Sequence, residues 1–256
     1  MDLRDRSVVV TGASRGLGAA IAEELAAAGA SVCVNYLHSR AQAEALVEAI
    51  GSRGGRAFAC RADVTRADEV DAMMRTTAAR FGGVDAVVNN ALPAYRFDPS
   101  AAYTRIETVA WDNFQRQFEG AVRAAVNTTR AALPYMQPRG FGKIVNIATN
   151  LIFNPVVTYY DYTTAKAALL GLTRNLAAEL GPYGIRVNLL AGGLLKVTDA
   201  SRDTTDAVFD MVANASPLRR VVTPKEFAQA VLFFVSDLSD AITGQTLAVD
   251  GGLTMT

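Results

Sequence analysis

The sequence predicts an α/β protein built on one doubly wound sheet of seven parallel strands, with helices on both faces. Short apolar runs recur along the chain, and several are apolar at nearly every position, as in strands covered on both sides. Between them lie segments with apolar residues at helical spacing, such as 18–29 and 165–181, each ending in glycine. This alternation is typical of parallel βαβ units. The predicted strands are 7–11, 31–35, 56–60, 84–89, 143–148, 185–190 and 246–250.

The composition is that of one globular domain. The chain has 256 residues, of which 50% are hydrophobic, and no low-complexity linker divides it, so we expect a single domain over 1–256. Lys and Arg together number 25, and so do Asp and Glu. This balance leaves no basic excess for nucleic acid or an anionic membrane, so we predict neither kind of partner.

The amino terminus and the cysteines indicate where the protein works. The chain reaches a predicted strand within seven residues and shows no signal-peptide hydrophobic region. No apolar stretch approaches the length of a membrane span. Cys33 and Cys60 both fall in predicted strands, where we expect buried core residues rather than a disulfide framework. These features predict a soluble, cytoplasmic protein.

Two longer loops follow predicted strands. They cover 91–104, which reads ALPAYRFDPSAAYT, and 192–216. Both begin at the carboxyl end of a strand, and ligands bind at that edge in open α/β sheets. We therefore expect these loops to cover a substrate.

A glycine-rich turn, TGASRGLG at 11–18, joins the first strand to the first helix. Gly12, Gly16 and Gly18 permit a tight turn and let the backbone approach a ligand closely. The helix that follows presents free N–H groups and a partial positive charge to an anion. A glycine turn between a strand and a helix predicts binding of a dinucleotide pyrophosphate.

The end of the second strand favours NADP(H) over NAD(H). NAD sites usually hold an acid there for the ribose hydroxyls. This strand continues through residues 35–40 (Asn-Tyr-Leu-His-Ser-Arg), and no acid occurs before Glu44. A carboxylate that would repel a 2′-phosphate is therefore absent, and Arg15 and Arg40 could supply positive charge.

Some of these polar residues also have simpler structural interpretations. Ser39 and Gln42 have the spacing of a helix capping box. Asp63 could cap the next helix or accept a hydrogen bond from an adenine amino group, and both could hold in part. His38 is the single histidine and is expected in a surface loop, so a histidine-based triad has no better candidate.

Four motifs together resemble the short-chain dehydrogenase/reductases. They are TGASRGLG (11–18), NNA (89–91), Tyr162-Thr-Thr-Ala-Lys166 and ITGQTLAVDGGL (242–253), in that family's order and spacing. The resemblance covers essentially the whole chain and is greatest to the 3-oxoacyl-[acyl-carrier-protein] reductases and related ketone reductases. It implies a Rossmann-fold oxidoreductase that assembles as a homotetramer.

The resemblance also implies roles for three side chains. Tyr162 would donate or accept the proton, and Lys166 would bind the nicotinamide ribose and help Tyr162 to ionise. Thr149, thirteen residues before Tyr162, stands where the family usually has the serine that polarises the carbonyl. Tyr159 and Tyr160 have no lysine four residues later and are expected to line or pack beside the pocket.

These residue types suit carbonyl reduction. A ketone that receives a hydride develops negative charge on oxygen and needs a proton donor there. A free tyrosine has a pKa of about 10, and a nearby ammonium lowers it. Lys166 lies four residues after Tyr162, so a helix would present both on one face.

The predicted cofactor site collects residues from the glycine turn, the strand ends and this catalytic pair. No metal site is predicted. The cofactor-binding candidates are Gly12, Ser14, Arg15, Gly16, Leu17, Gly18, Asn35, Tyr36, Ser39, Arg40, Asp63, Val64, Asn89, Asn90, Ala91, Tyr162, Lys166, Leu195 and Thr198.

Three positions depart from the family pattern. Leu92 replaces the last glycine of NNAG, and Gly192 replaces a proline, which should leave that loop freer in φ. Ala121 occupies the place of an asparagine that completes a proton relay in the family. Asn127 lies six residues later, about 240° around a helix, and should face elsewhere.

The leading hypothesis is NADP(H)-dependent reduction of a 3-oxoacyl thioester, with acyl carrier protein as a possible partner. Arg139, Arg219 and Arg220 are candidates to meet such an acidic partner, although solvated surface charges are the simpler interpretation. The first alternative is a dehydrogenase or reductase of a free small ketone or alcohol. The second is an NADP(H)-binding sensor or scaffold with weakened catalysis, which the missing asparagine favours and the Tyr162–Lys166 pair opposes.

Overall fold

The fold is seen in a computed structural model that describes residues 1–93, 105–196, 198, 201 and 204–255. Seven parallel strands form one sheet in the order β3-β2-β1-β4-β5-β6-β7. Every predicted strand is confirmed, with ends that shift by one or two residues. The strands are β1 Ser7–Val10, β2 Ser31–Tyr36, β3 Arg56–Arg61, β4 Ala86–Asn89, β5 Gly142–Thr149, β6 Ile185–Gly192 and β7 Thr246–Val249.

Helices cover both faces of the sheet, as predicted. Alternate residues of β1 show why: Val8 and Val10 pack in the core beneath α1, α2 and α8, whereas Val9 packs on the side of α3 and α5. The helices are α1 Gly16–Ala27, α2 Arg40–Ser52, α3 Ala67–Phe81, α4 Trp111–Phe118, α5 Ala124–Met136, α6 Tyr160–Leu180, α7 Asp206–Ala215 and α8 Pro224–Val235.

A short π-helical segment, Glu119–Arg123, joins α4 to α5 without a break. Its Gly120 and Ala121 are buried, and Ala121 packs in a small apolar cluster with Ala148 and Ala165. Those two alanines immediately precede Thr149 and Lys166 in the chain. The widened turn therefore lies beside the strand and helix that carry the predicted catalytic residues.

Three local predictions are wrong. Ser39 is the N-cap of α2, but its side chain makes no capping hydrogen bond, so the capping box does not form. Cys60 is partly exposed because β3 is the edge strand; Cys33 is buried, and both thiols are free. Gly192 is the last residue of β6 rather than a loop residue, and an added Cβ would lie 2.9 Å from the Phe227 ring. Gly192 therefore allows the Phe227 ring to pack closely against β6.

Buried charges at the amino-terminal edge of the sheet are paired. The Asp85 carboxylate accepts bonds from the Ser7 amide and hydroxyl, both at 2.8 Å, and lies 3.3 Å from the Arg139 guanidinium. Lys143 Nζ contacts Asp240 at 2.7 Å and donates to Ser239 at 3.0 Å. This edge is stabilised by ion pairs and hydrogen bonds.

None of the helices in the described part of the chain combines the length and apolar character needed to cross a bilayer.

Candidate active site

The candidate site lies at the carboxyl edge of the sheet, where β1 and β4 are neighbours and the winding of the chain reverses. The glycine turn after β1 meets the chain after β4 here. Gly12 has φ +59°, and a Cβ on it would lie 2.9 Å from Ala91 Cα. Gly16 also has a positive φ, 56°. The positive φ favours glycine at both positions, and at Gly12 the close approach of Ala91 also leaves no room for a side chain.

Asn35 and Asn90 hold this turn in place. The Asn35 side chain accepts from the Gly12 amide at 3.1 Å and donates to the Ala62 carbonyl at 3.0 Å. The Asn90 side chain donates to the Thr11 carbonyl at 2.9 Å and the Gly12 carbonyl at 3.1 Å. Both asparagines thus shape the predicted cofactor cradle through their side chains.

The start of α1 fits the pyrophosphate predicted for it. The helix begins at Gly16 with Arg15 as its N-cap; no side-chain bond caps it, and its first turn holds no acidic residue. The first N–H groups of a helix have no intrahelical partner, and its dipole favours an anion there. Ser14 and Leu17 flank this start, and Leu17 packs partly against the core. Phosphate oxygens could therefore approach this backbone without meeting a carboxylate.

The end of β2 and the turn after β3 form the other end of the cradle. Tyr36 is buried in the core, and Arg40 pairs with Glu44 at 2.8 Å on the exposed side of α2. Asp63 does not cap α3, which begins at Ala67 with Arg66 as its N-cap.

Asp63 and Val64 are instead held in a turn. Asp63 Oδ1 accepts from the amide and hydroxyl of Thr65, at 2.9 and 2.7 Å. The Asn127 side chain of α5 donates to the Val64 carbonyl at 3.1 Å. Asn127 therefore faces this turn rather than the position of Ala121, as its helical angle predicts.

Thr149, Tyr162 and Lys166 come together. Thr149 ends β5, while Tyr162 and Lys166 lie on the first turns of α6, one helical turn apart. The Tyr162 hydroxyl shares a hydrogen bond with the Thr149 side chain. Lys166 Nζ donates to the Ile147 carbonyl at 2.7 Å, which holds the ammonium against β5. The structure therefore brings the Thr149 and Tyr162 hydroxyls together and fixes Lys166 one helical turn further along α6.

Burial is the main cause of the pKa shifts of Tyr162 and Lys166. Burial raises the pKa of Tyr162 to about 12, although the hydrogen bond with Thr149 lowers it in part. Burial also lowers the pKa of Lys166 to about 8, because an ammonium loses its hydration there. Both shifts favour the neutral forms.

The remaining candidates lie at the rim or in the core. Asn89 is buried, and its side chain donates to Asn146 at 2.8 Å across the sheet. Leu195 forms a bridge with Val222, and its side chain is buried. The Thr198 amide donates to Ser201 at 2.8 Å in a turn after β6.

The position of Ala121 offers no polar side chain, so the structure does not restore the missing asparagine. The neighbouring Gly120 lies directly against the Pro93 ring, where a Cβ would clash. The residues next to two departures from the family pattern are therefore in contact, since Pro93 follows Leu92 and Gly120 precedes Ala121. The loop predicted at 91–104 lies outside the described residues beyond Pro93; that at 192–216 contains α7.

One buried pair was not predicted. Asn150 follows Thr149, and its side chain donates to Asp250 at 2.9 Å from a position one hundred residues away. Asp250 belongs to the closing motif ITGQTLAVDGGL, which was the available signal in the sequence. Within the described ranges, no group of three or more His, Cys, Asp or Glu side chains could hold a metal ion.

Comparisons with known proteins agree with this geometry. A family model described as Enoyl-(Acyl carrier protein) reductase matches residues 12–254. A 3-oxoacyl-[acyl-carrier-protein] reductase FabG of Staphylococcus epidermidis is 35% identical over 253 residues, which span 98% of this chain and 100% of that protein.

Solved structures are similar over nearly the whole length. A dehydrogenase/reductase from Sinorhizobium meliloti has a TM-score of 0.89 and 32% identity, covering 99% of this chain and 97% of that chain. A gluconate 5-dehydrogenase from Burkholderia cenocepacia, in complex with NADP and tartrate, has a TM-score of 0.88 and 30% identity, with coverages of 98% and 96%. The chain belongs to the short-chain dehydrogenase/reductase family and is an oxidoreductase of that family.

Proposed function

We propose that the protein is an NADP(H)-dependent reductase of a ketone, and that the ketone is a 3-oxoacyl thioester. The observation that carries the proposal is the hydrogen-bonded pair of Thr149 and Tyr162 hydroxyls at the edge of the sheet that also carries the glycine turn. Two hydroxyls at one point can both bind a carbonyl oxygen and stabilise the charge that develops on it.

The chain's own residues then account for the proton. Bound NADPH would supply a hydride to the carbonyl carbon. Tyr162 donates its proton to the carbonyl oxygen, which becomes the product hydroxyl, and Thr149 holds that oxygen in place. A pKa of about 12 keeps Tyr162 protonated until the oxygen becomes basic enough to take the proton. A protonated Lys166 would favour the resulting phenolate.

NADP(H) is proposed because the end of β2 has no carboxylate before Glu44. Glu44 itself already pairs with Arg40 on the exposed side of α2, and an exposed i,i+4 ion pair contributes little to stability. Arg40 could therefore turn from Glu44 to a 2′-phosphate at small cost. The NADP complex of the Burkholderia cenocepacia structure supports this choice.

A 3-oxoacyl thioester is proposed from the named activity of the Staphylococcus relative and from exposed apolar side chains that could contact an acyl chain. These side chains lie on the segments that follow β4, β5 and β6, and they are Leu92, Val156 and Met211. A partner acyl carrier protein, a homotetramer and a cytoplasmic location complete the proposal. Arg139 is at the opposite, amino-terminal edge and is not proposed to contact the carrier.

A second candidate is a dehydrogenase of a small polar alcohol or ketone. The similarity to a gluconate 5-dehydrogenase bound to NADP and tartrate favours it. A third, a sensor with weakened catalysis, is favoured by the apolar side chain of Ala121 in its buried cluster.

The test follows NADPH absorbance with 3-oxoacyl thioesters of increasing chain length, simple ketones and sugar acids, and compares wild type with Tyr162→Phe. We expect the wild type to turn over thioesters fastest, and the variant to lose at least about a hundredfold in kcat while it still binds NADPH. Preference for a sugar acid would select the second candidate. NADPH binding without any turnover would select the third, and equal kcat in the variant would remove Tyr162 from its role. Tighter binding of NADH than NADPH would overturn the cofactor choice.

A further inference from the structure

We infer that Asp250 is a positioning residue that acts through Asn150 on Thr149. The inference rests on the proposed function, since it assigns Thr149 a part in the reaction. It gives a role to the closing motif ITGQTLAVDGGL, which the catalytic cluster does not use.

The register of the sheet brings the two residues to the same level. Thr149 of β5 is in register with Gly192 of β6, which is in register with Val249 of β7. The residue after each strand end therefore falls on one row at the carboxyl edge. These residues are Asn150, Gly193 and Asp250.

The middle residue of this row has no side chain, and that lets the outer two meet. Strands β5 and β7 are not neighbours, so their backbones lie about 10 Å apart. Asn150 and Asp250 span this distance above Gly193 with a hydrogen bond of 2.9 Å. A Cβ on Gly193 would lie 2.9 Å from Asp250 Cβ and 3.2 Å from Asn150 Nδ2.

Both side chains are buried, and further hydrogen bonds hold Asp250 and the backbone that follows it. Asn150 is 7% exposed and Asp250 is 6% exposed. The other carboxylate oxygen of Asp250 accepts from the Gly252 amide at 3.1 Å. The carbonyl of the neighbouring Gly251 accepts from the Leu218 amide at 3.1 Å. A buried carboxylate with two fixed donors is costly to move, so Asp250 is a rigid anchor.

From Asn150 the connection to the reacting hydroxyls is short. The backbone carbonyl of Asn150 accepts hydrogen bonds from the backbone amides of Phe153 and Asn154, at 3.0 and 3.1 Å. These bonds hold the turn at 150–152. In this turn the Leu151 amide donates to Thr149 Oγ1 at 3.3 Å. Thr149 in turn shares its hydrogen bond with Tyr162. Asp250 thus sets the orientation of the Thr149 hydroxyl.

The test exchanges the two side chains and measures kcat, and KM for NADPH, with the best substrate of the wild type. Asn150→Asp sets two buried carboxylates against each other, and we expect kcat to fall roughly tenfold with KM for NADPH nearly unchanged. The exchange Asn150→Asp/Asp250→Asn restores a donor and an acceptor with the direction reversed, and kcat should return to within about threefold of wild type. Full activity in Asn150→Asp, or no recovery in the exchange, overturns the inference.

A Thr149→Ala background separates positioning from general stability. There, Asn150→Asp should cause no further loss of kcat, because the residue through which it acts is gone, while its effect on the thermal midpoint should persist. A further loss of kcat of about tenfold in this background overturns the inference. If Asn150→Asp does not fold, Asn150→Ala takes its place, with an expected loss of about threefold that also disappears in the Thr149→Ala background. An inactive wild type would instead overturn the proposed function.

Discussion

Lys143 and Lys166 are both almost fully buried, 1% and 4% exposed, but at opposite edges of the sheet. Lys143 is the second residue of β5 and contacts the Asp240 carboxylate at 2.7 Å. Lys166 lies on α6 at the carboxyl edge, and its ammonium donates to the Ile147 carbonyl. Among the residues that the structure describes, no carboxylate pairs with Lys166.

This difference is the one that we expect between a structural lysine and a functional one. Burial lowers the pKa of Lys143, and Asp240 opposes that shift; burial alone lowers the pKa of Lys166, to about 8. A buried ammonium without a counterion destabilises a fold, so its presence indicates another use, and perturbed groups of this kind cluster at active sites. We therefore expect Lys143 to stabilise the fold and Lys166 to supply charge for the ionisation of Tyr162.

The largest expected effect is that of Lys166→Met. We expect kcat/KM to fall about a thousandfold, because the charge that supports Tyr162 ionisation is removed. The free energy of unfolding at neutral pH should stay the same or increase, because an unpaired buried charge disappears. NADPH oxidation and urea unfolding measure the two quantities. Unchanged kcat/KM, together with lower stability, would make Lys166 a second structural lysine.

The lowered pKa of Lys166 should make the free energy of unfolding depend on pH. Between a folded pKa of about 8 and the ordinary value of 10.5, the unfolded state holds a proton on Lys166 that the folded state lacks. Stability therefore rises with pH in this window, by up to about 3 kcal/mol in total. Urea unfolding without cofactor at about pH 7 and about pH 9.5 should show this gain in wild type relative to Lys166→Met. A constant difference between the two proteins would contradict the lowered pKa.

Asp240→Asn tests the paired lysine. It leaves Lys143 buried without its counterion, and we expect the free energy of unfolding to fall by about 2 kcal/mol. The effect should vanish in a Lys143→Met background, and kcat/KM should be unchanged in both. A lower kcat/KM in Asp240→Asn, with an unchanged free energy of unfolding, would show that the amino-terminal edge of the sheet is coupled to the active site.

The smallest expected effect is that of Arg139→Ala. Asp85 keeps its two bonds from Ser7, and Arg139 is 46% exposed, so we expect a loss of only about 1 kcal/mol. Turnover of a carrier-bound 3-oxoacyl substrate should equal that of wild type, since this edge is opposite to Tyr162. A KM for that substrate raised by about tenfold would show that Arg139 contacts the carrier after all.

The seven strands and the Tyr162–Lys166 pair could be predicted because their signals are local. Runs of apolar residues indicate strands buried on both faces, and a separation of four residues on a helix fixes a shared face. The glycine turn was also recognisable, because its sequence context between a strand and a helix dictates its geometry.

Other expectations were wrong because neighbours distant in the chain decided them. Ser39 and Gln42 have the spacing of a capping box, but the Ser39 side chain makes no capping hydrogen bond. Gly192 was expected to free a loop, but the ring of Phe227 on α8 requires a residue without a Cβ there. Cys60 is partly exposed because its strand is at the edge of the sheet.

The sequence by itself determined the order of strands and helices, the glycine turn and the shared helix face of Tyr162 and Lys166, because each depends on spacing within one or two elements. Thr149 was singled out through the resemblance to the family. Only the tertiary structure decided that Lys143 pairs with Asp240, whereas no carboxylate among the described residues pairs with Lys166. It also decided that Asn150 meets Asp250 above Gly193. Such contacts join residues up to one hundred positions apart. The Asn150–Asp250 contact depends on the register of β5, β6 and β7 and on the absence of a side chain at Gly193 between them. A local sequence pattern determines neither.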